Sequence, residues 1–343
     1  MKITRKHLDD AAEKHIISPD QAQNLHAYLA ALPTTGPTFN FTNLLYYLGG
    51  LIAIGAMTLF MTLGWESFGG WGIFFIALAY AGVGLKLTGS FRDKGHAIPA
   101  GICATFVVAL TPLAIYGLQQ ALGLWPDESV YWDYHRYIKW HWLYMELGTL
   151  VVGLLLAWMY RYPFLMMPIA VTLWYMSMDV AAMILGEQYD FHFRALISMY
   201  FGILMIFIAL WVDLRSRRQV DYAFWLYLFG VVAFWSGMTA QESSTELSKF
   251  LYFCTNMLMI GVGIVIVRRV FVMFGAVGAC IYLGHLAWDV FRDSWFFPVA
   301  LSVIGLLIIY LGVQWQKHEK AITRQARRLL PVRFQEYLNS VAS

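Results

Sequence analysis

Charged residues are scarce in this chain of 343 residues: Asp, Glu, Lys and Arg together make up 13%, whereas hydrophobic residues make up 59%. A soluble globular domain is roughly one quarter charged, so this composition excludes an ordinary soluble domain and favours an integral membrane protein. The net charge of +3 is small, so the distribution of the charges along the chain is more informative than their sum.

The chain also lacks the short motifs that would identify a cofactor or an enzyme class. Its three cysteines all lie in apolar stretches, and an odd number of such thiols predicts neither a disulfide framework nor a metal site. The first 40 residues are polar and contain no signal peptide. H-E-x-x-H, G-x-S-x-G and phosphate-binding glycine loops do not occur. We therefore expect no cofactor, no metal and no nucleic-acid partner.

Long hydrophobic stretches are what the chain does contain. A membrane-spanning helix needs roughly 20 apolar residues, because no backbone amide can be left without a hydrogen bond in hydrocarbon. The expected fold class is all-α, a polytopic integral membrane protein with about ten transmembrane helices. The transmembrane domain is expected at 41–315. It would follow a cytoplasmic helical segment at 1–40 and precede a basic cytoplasmic tail at 316–343. The expected spans are 43–64, 71–88, 97–122, 141–161, 163–186, 194–212, 221–240, 249–267, 270–289 and 295–315.

The basic residues predict the orientation of these spans. If the N-terminus is cytoplasmic, 19 of the 24 Lys and Arg residues fall on one side of the membrane and 5 on the other. Basic residues are translocated poorly, so we expect both termini in the cytoplasm and the protein in the inner membrane of a bacterium. The five basic residues on the outer side are Arg136, Lys139, Arg194, Lys249 and Arg292.

Both tails are predicted to be partly helical. Ser18 is a candidate N-cap with Pro19 at the first helical position, and Leu25, Leu29 and Leu32 follow at helical spacing. The basic C-terminal tail is either a solvated face that sets the topology or a surface that attracts anionic lipids of the bilayer. A cytoplasmic protein partner for the tails is a further possibility, and the oligomeric state is not indicated.

Residues 13–66 carry a family resemblance. The stretches "EKHIISPDQAQNLHAYL" and "LLYYLGGLIAIGAMTLFMTLGWESF" resemble the bacterial membrane-protein family known as domain of unknown function 2157. The resemblance implies a short cytosolic helical segment followed by a glycine-rich first span and an outer turn with tryptophan. It implies a location and no activity. The matching residues are Ile17, Ser18, Gln21, Ala22, Gly49, Gly50, Gly55, Trp65 and Glu66.

The spans also resemble one another in a way that predicts an internal duplication. Gly82-Val83-Gly84 in the second span has a counterpart in Gly261-Val262-Gly263 of the eighth, and Val151 to Leu155 in the fourth has one in Val303 to Leu307 of the tenth. A four-span unit used twice, as spans 1–4 and 7–10, would be a parallel repeat. In the first and seventh spans, Tyr47, Leu48, Gly50 and Ala53 align with Tyr227, Leu228, Gly230 and Ala233.

The pattern W-D-x-x-R occurs twice, once before the fourth expected span and once before the tenth. Asp and Arg at i and i+3 can form an ion pair on a helix, and Trp is common at the depth of the lipid headgroups. The pattern is therefore either an aromatic belt with an ion pair or the rim of a functional site. The rim candidates are Trp132, Asp133 and Arg136 in the first copy, with Trp288 and Arg292 in the second.

Four ionisable residues inside or beside the spans are candidates for a pocket. They are Glu146, Asp179, His285 and Asp289, and each lies towards the predicted outer side. Ionisable groups at membrane depth are costly unless they face a partner or a wet cavity, so they are functional candidates by default. Carboxylates there would bind a proton or a cation.

These observations favour a non-enzymatic protein that binds or transports a small solute or ion through an outward-facing polar pocket. The alternative is a non-transporting structural or sensory membrane protein that recruits a partner through its cytoplasmic tails. A membrane-embedded hydrolase is the third hypothesis. Pro112, near the centre of the third span, predicts a bend that would suit a transporter.

Overall fold

The computed structural model describes residues 8, 11–31, 41–125, 140–185, 191–215, 221–241, 245–286 and 288, with single positions between 296 and 310. Every regular element in these ranges is helical, which confirms the all-α expectation. The helices are α1 (Pro19–Ala31), α2 (Phe41–Asp93), α3 (Ala97–Ala121), α4 (Trp140–Tyr160), α5 (Met166–Leu185), α6 (Phe191–Arg215), α7 (Ala223–Thr239), α8 (Glu246–Ile266) and α9 (Arg269–His285), with a 3-10 turn at Pro163–Leu165 before α5.

Six helices in the described residues are long and apolar enough to cross a membrane, and each coincides with one expected span. The expected spans 43–64, 221–240 and 270–289 lie on shorter apolar helices. The span 295–315 and the tail 316–343 lie mostly or wholly outside the described residues. The six spanning helices are Phe68–Asp93, Ala97–Ala121, His141–Tyr160, Pro163–Ile184, Phe191–Arg215 and Glu246–Ile266.

The long helix α2 is two antiparallel arms joined at Gly69. The backbone is non-helical there, with φ 59° and ψ 175°, a conformation open to glycine and strained for other residues. Cβ atoms added at Gly50 and Gly84 would both meet side chains of the same part of α3, Ile102 and Val107 respectively. In a straight helix these glycines would be about 50 Å apart at 1.5 Å per residue, so the chain must reverse direction. The expected turn between the first two spans is therefore confirmed as a tight reversal.

Successive helices pack as antiparallel neighbours, with apolar side chains and small residues at the contacts. Tyr227 and Met205, almost fully buried, belong to one cluster formed by α5 to α9. A Cβ atom on Gly202 of α6 would clash with the backbone nitrogen of Phe234 in α7 and lie 2.7 Å from the carbonyl oxygen of Gly230, so only glycine permits this approach of the two backbones. Helix α3 continues through Pro112, and the bend expected there stays a prediction.

Two hydrogen-bonded groups in the interior of α5 to α9 link neighbouring helices. Asn256 is completely buried; its Oδ1 accepts from Trp235 Nε1 at 3.1 Å, and its Nδ2 donates to the carbonyl oxygen of Tyr252 at 2.8 Å. Trp174 Nε1 donates to Ser198 Oγ at 2.8 Å, and that hydroxyl donates to a carbonyl of α7 at 2.8 Å. In a low-dielectric interior, such satisfied networks hold neighbouring helices in one register.

The N-terminal segment begins α1 as the sequence predicts. Ser18 Oγ accepts from the backbone N–H of Gln21 at 3.1 Å, and Gln21 Oε1 accepts from the backbone N–H of Ser18 at 3.0 Å. This reciprocal pair is a capping box, which supplies partners to backbone donors that the first helical turn leaves unpaired. The prediction of Ser18 as N-cap is confirmed.

At one end of the bundle, an arginine forms ion pairs with two carboxylates. Arg268, in the turn between α8 and α9, donates to Asp213 at the end of α6 at 2.7 Å and to Asp221 before α7 at 2.6 Å. Burial alone would lower the pKa of the Arg268 guanidinium, but the hydrogen bonds and charges of Asp221 and Asp213 outweigh it and raise the pKa above its usual value. Tyr222 Oη also donates to the carbonyl oxygen of Arg161 at 2.6 Å. We call this end, with the turns at 161–165 and 267–268 and the residues Asp221 and Tyr222, the basic end.

We expect Arg268→Gln to lower the free energy of unfolding by about 3 kcal/mol, because removing one partner of a buried ion pair leaves the other partner's charge without compensation. The measurement is denaturant and thermal unfolding of the purified protein in detergent.

The neighbouring Arg269→Gln is the matched control. Arg269 is exposed at the first position of α9, so its loss should change the free energy of unfolding by less than about 0.5 kcal/mol. Equal effects of the two substitutions would show that the contacts of Arg268 do not stabilise the bundle.

Candidate functional site

Two of the predicted pocket residues lie together at the end of the bundle opposite the basic end. Glu146 in α4 is only 8% exposed, and its carboxyl group lies near enough to that of Asp179 in α5 for the two groups to interact. The contact follows from the short link between the two helices. Glu146 precedes Arg161 by 15 residues and Asp179 follows Tyr162 by 17, so the two side chains reach similar depths in antiparallel helices.

The chemistry of this pair depends on a proton. Two ionised carboxylates can only accept hydrogen bonds, so a hydrogen bond between them requires that one of them carry a proton. Within the described residues, no amide, hydroxyl or basic group donates to the buried Oε2 atom of Glu146. When the two groups share one proton they can form such a hydrogen bond, and together they then carry one negative charge.

Arg194 is the third charged group at this site. It lies in the first turn of α6, and its positive charge acts on the carboxyl group of Asp179. The three residues come from consecutive helices α4, α5 and α6. The sequence drew attention to Arg194 only as one of five basic residues on the outer side. Its approach to Asp179 follows from the short connection between α5 and α6.

His285 belongs to a second group at the same end of the bundle. Its Nε2 atom lies 3.2 Å from Oε2 of Glu246, the first residue of α8, and Lys249 Nζ donates to the other oxygen of Glu246 at 2.8 Å. The structure shows that His285 contacts the preceding helix, since α8 begins where α9 ends. The position of His285 and Asp289 on one helical face stays a prediction. Asp289 lies outside the described residues.

Most of the rim candidates cannot be placed. Trp132, Asp133, Arg136 and Arg292 lie outside the described residues, so the repeated W-D-x-x-R pattern stays a prediction. Trp288 is 67% exposed, which agrees with a position in an aromatic belt.

A group of polar atoms between α3 and α4 was missed by the sequence reasoning. Gln119 donates from Nε2 to the carbonyl oxygen of His141 at 3.3 Å. The Oε1 atoms of Gln119 and Gln120 and the Nδ1 atom of His141 are buried and have no hydrogen-bonding partner within the described residues. A uniformly apolar helix gives no periodicity that would indicate which way a glutamine points, so only the pairing of the helices reveals this group.

The described residues contain no group of three or more His, Cys, Asp or Glu side chains suited to a metal ion. No protein-family model, curated protein or solved structure matches the chain. The resemblance of residues 13–66 to the domain of unknown function 2157 therefore stays a prediction.

We expect the Glu146–Asp179 pair to react with dicyclohexylcarbodiimide, because this apolar reagent modifies protonated carboxyl groups in apolar surroundings. Mass spectrometry should locate one adduct on a peptide that contains Glu146 or Asp179, and the adduct should disappear in the double variant Glu146→Gln/Asp179→Asn.

Glu246 provides the internal comparison, because this exposed carboxylate is paired with Lys249 and should not be modified. Modification of the Glu246 peptide to the same extent, or no adduct at either member of the pair, would contradict a shared proton.

Proposed function

We propose that this chain is a bacterial inner-membrane protein that binds or transports a small solute, and that it uses the Glu146–Asp179 pair as an exchangeable proton site. The single observation that carries the proposal is the contact between these two carboxyl groups, which lie on membrane-spanning helices. A structural role could be filled by apolar residues at lower cost, because a buried ionisable group is destabilising unless it is paired.

Arg194 gives the site a way to respond to its proton. When the pair holds one proton, its single negative charge is balanced by the positive charge of Arg194, which acts on Asp179. If the proton leaves, two adjacent carboxylates repel each other, and this repulsion favours separation of α4 from α5 or the entry of a cation. Proton exchange is thereby coupled to helix position or to solute binding, which is the coupling a proton-linked transporter requires.

The proposed topology has ten spans with both termini in the cytoplasm, so the basic end faces inward. Support comes from the positions of Arg161, Arg215, Arg268 and Arg269 at or next to turns of that end, since basic residues remain on the cytoplasmic side. The Glu146–Asp179 pair then lies towards the outer side.

The proposed repeat of spans 1–4 and 7–10 has support from glycine packing. Gly82 and Gly261, which align in the repeat, have open space where a Cβ atom would be. Their partners in the motif, Gly84 and Gly263, both face the next helix, where a Cβ atom would come within 2.7 Å of Val107 and 2.8 Å of Val272 respectively. The two Gly-Val-Gly motifs thus present the same glycine to the helix that follows.

The second candidate function, recruitment of a partner through the cytoplasmic tails, is favoured by a separate observation. Ile16 and Tyr28 in the N-terminal segment are 72% and 63% exposed, and exposed apolar side chains are typical of protein-binding surfaces. Membership of the family known as domain of unknown function 2157 would be consistent with either candidate. The capping box accounts physically for Ser18 and Gln21, two of the residues that carry the resemblance.

Proton-coupled transport is tested in proteoliposomes that contain a pH-sensitive dye. A low-molecular-weight extract of bacterial culture, added outside, should produce a proton flux that empty liposomes do not show. We expect Glu146→Gln and Asp179→Asn to reduce this flux at least tenfold, because an amide cannot release a proton.

Two further proteins serve as controls for the flux. Glu246→Gln removes an exposed carboxylate at the same end and should leave the flux unchanged, and deletion of residues 1–36 should do the same. A proton flux that survives in Glu146→Gln and Asp179→Asn would overturn the proposal. In cells, a phenotype that is lost only when residues 1–36 are deleted would favour partner recruitment.

The topology is tested with single cysteines in a variant whose native cysteines are replaced by alanine. Leu124 and His96 are both exposed, at opposite ends of α3. We expect a membrane-impermeant maleimide to label Leu124→Cys in intact cells and His96→Cys only after the membrane is permeabilised. The reverse labelling pattern would invert the proposed orientation.

A further inference from the structure

At the basic end, Arg92 of α2 is held by an aromatic ring and not by a carboxylate. Its Cζ atom lies 6.0 Å from the centroid of the Tyr160 ring at the end of α4. Arg92 is exposed and forms no ion pair within the described residues. Arg268, by contrast, is mostly buried between Asp213 and Asp221. The contacts of Arg268 join helices, whereas Arg92 presents its N–H donors to the surroundings of the protein.

The ring beneath Arg92 belongs to a stacked pair. The Tyr160 and Tyr162 rings are nearly parallel, with 8° between their planes and 6.1 Å between their centroids. The positive charge of Arg92 acts on the hydroxyl group of Tyr162, so the guanidinium and this hydroxyl group lie close together. We call Arg92, Tyr160 and Tyr162 the arginine–tyrosine site.

The hydroxyl group of Tyr162 is a second donor at this site. Burial raises the pKa of Tyr162 above its usual value, and the charge of Arg92 opposes this only in part. The hydroxyl group therefore keeps its proton at neutral pH and can donate it in a hydrogen bond. Within the described part of the chain, no residue accepts that hydrogen bond. A guanidinium beside an O–H donor suits the oxygens of a phosphate group.

The two chain segments that meet here have an excess of positive charge. Asp93 is the acidic residue among them, and its effect on Tyr162 is smaller than that of Arg92. Exposed Lys94 follows Asp93, and exposed Arg161 lies between the two tyrosines in the sequence. Three basic residues and one acidic residue give these segments a net charge of +2, which favours an anion as the partner.

Packing against α3 explains why the ends of α2 and α4 meet. A Cβ atom on Gly84 of α2 would lie 2.7 Å from Val107, and one on Gly153 of α4 would lie 3.4 Å from Val108. Because these valines are consecutive residues of α3, α2 and α4 lie on adjacent sides of that helix. From the two glycines, eight residues of α2 and seven of α4 lead to Arg92 and its ring, so both helices reach the site at the same depth.

The site lies where lipid headgroups are expected. It stands at the ends of Phe68–Asp93 and His141–Tyr160, two helices long and apolar enough to cross a membrane. When the apolar length of such a helix fills the hydrocarbon, its end lies among the headgroups, where tyrosine rings are common. Phosphate groups of lipids are present at this depth, and an exposed arginine needs no enclosed cavity to reach one.

We infer that the arginine–tyrosine site binds the phosphate group of an anionic phospholipid. Arg92 and Tyr162 donate to the phosphate oxygens, while the face of the Tyr160 ring positions the guanidinium. Basic sites between spanning helices are a recurrent form of lipid recognition. The site lies at the end of the bundle away from Glu146 and Asp179, and the inference does not rest on the proposed function.

The test is native mass spectrometry of the full-length protein, titrated in detergent with phosphatidylglycerol or with phosphatidylcholine of the same acyl chains. We expect one phosphatidylglycerol molecule to bind about tenfold more tightly, because the choline cation cancels the charge of its own phosphate and is repelled by the basic residues. Arg92→Gln, which removes the charge, and Tyr162→Phe, which removes the hydroxyl donor and keeps the ring, should each raise the Kd for phosphatidylglycerol about fivefold.

Arg215→Gln is the matched control. Arg215 is also exposed, and its Cζ atom lies 5.4 Å from the centroid of the Trp211 ring. Both residues belong to α6, so this pair does not join two helices, and the substitution should leave the Kd for phosphatidylglycerol unchanged. Glycerol 3-phosphate, which has the phosphate without the acyl chains, should not displace the lipid at equal concentration.

Three results would overturn the inference: equal binding of the two phospholipids, an unchanged Kd in a folded Arg92→Gln or Tyr162→Phe variant, or an equal rise of the Kd in Arg215→Gln. Tyr162→Phe preserves the stacked rings, so it decides the question if Arg92→Gln fails to fold. Displacement of the lipid by an equal concentration of glycerol 3-phosphate would also overturn it and would assign the site to a soluble phosphate compound.

Discussion

A peptide group in the hydrocarbon of a bilayer has no water to bind, and this constraint determines the rest of the structure. Each backbone N–H and C=O must find a partner within its own helix, so the chain can change direction only where a few residues leave the apolar layer or where glycine permits a sharp reversal. Gly69 is such a reversal, and the turn at 161–165 is another. Short connections then place consecutive helices side by side, and residues far apart in the sequence reach the same depth.

The same constraint applies to side chains, and it divides the polar residues into two kinds. Asn256 and Ser198 have partners on neighbouring helices, so they strengthen the packing. Glu146 and Gln119 each have a buried oxygen without a hydrogen-bonding partner in the part of the chain that the structure describes. The first kind is explained by the packing of the helices. The second kind is not, and both of its members lie at the end of the bundle away from its basic turns.

The sequence predicted the helices well because its strongest signal is the length of the apolar stretches. The span expected at 141–161 is helix α4, and Ser18 caps α1 as its position before Pro19 indicates. The rotation of each helix about its axis was not predictable, since a helix that is apolar on all sides has no periodicity to reveal its inner face. The contact of Glu146 with Asp179 and the partners of Gln119 depend on that rotation.

Charged residues in the turns predicted the orientation of the spans but not the contacts that these residues make. Arg268 is one of the 19 basic residues counted on the predicted cytoplasmic side, but its partners Asp213 and Asp221 precede it by 55 and 47 residues. No local pattern links an arginine to carboxylates at such distances. His285 is similar, because its contact with Glu246 depends on how α8 and α9 pair and not on the spacing within α9.

The long separation of Arg268 from its two carboxylates has a consequence for the biosynthesis of the protein. A ribosome that adds about 5–20 residues per second delivers Asp213 and Asp221 to the membrane seconds before their counter-ion exists. During that interval the acidic groups at the end of α6 and before α7 lack the guanidinium and must be solvated by water or lipid headgroups. The ion pairs of Arg268 can therefore join α6 to α9 at the basic end only after translation has passed α8.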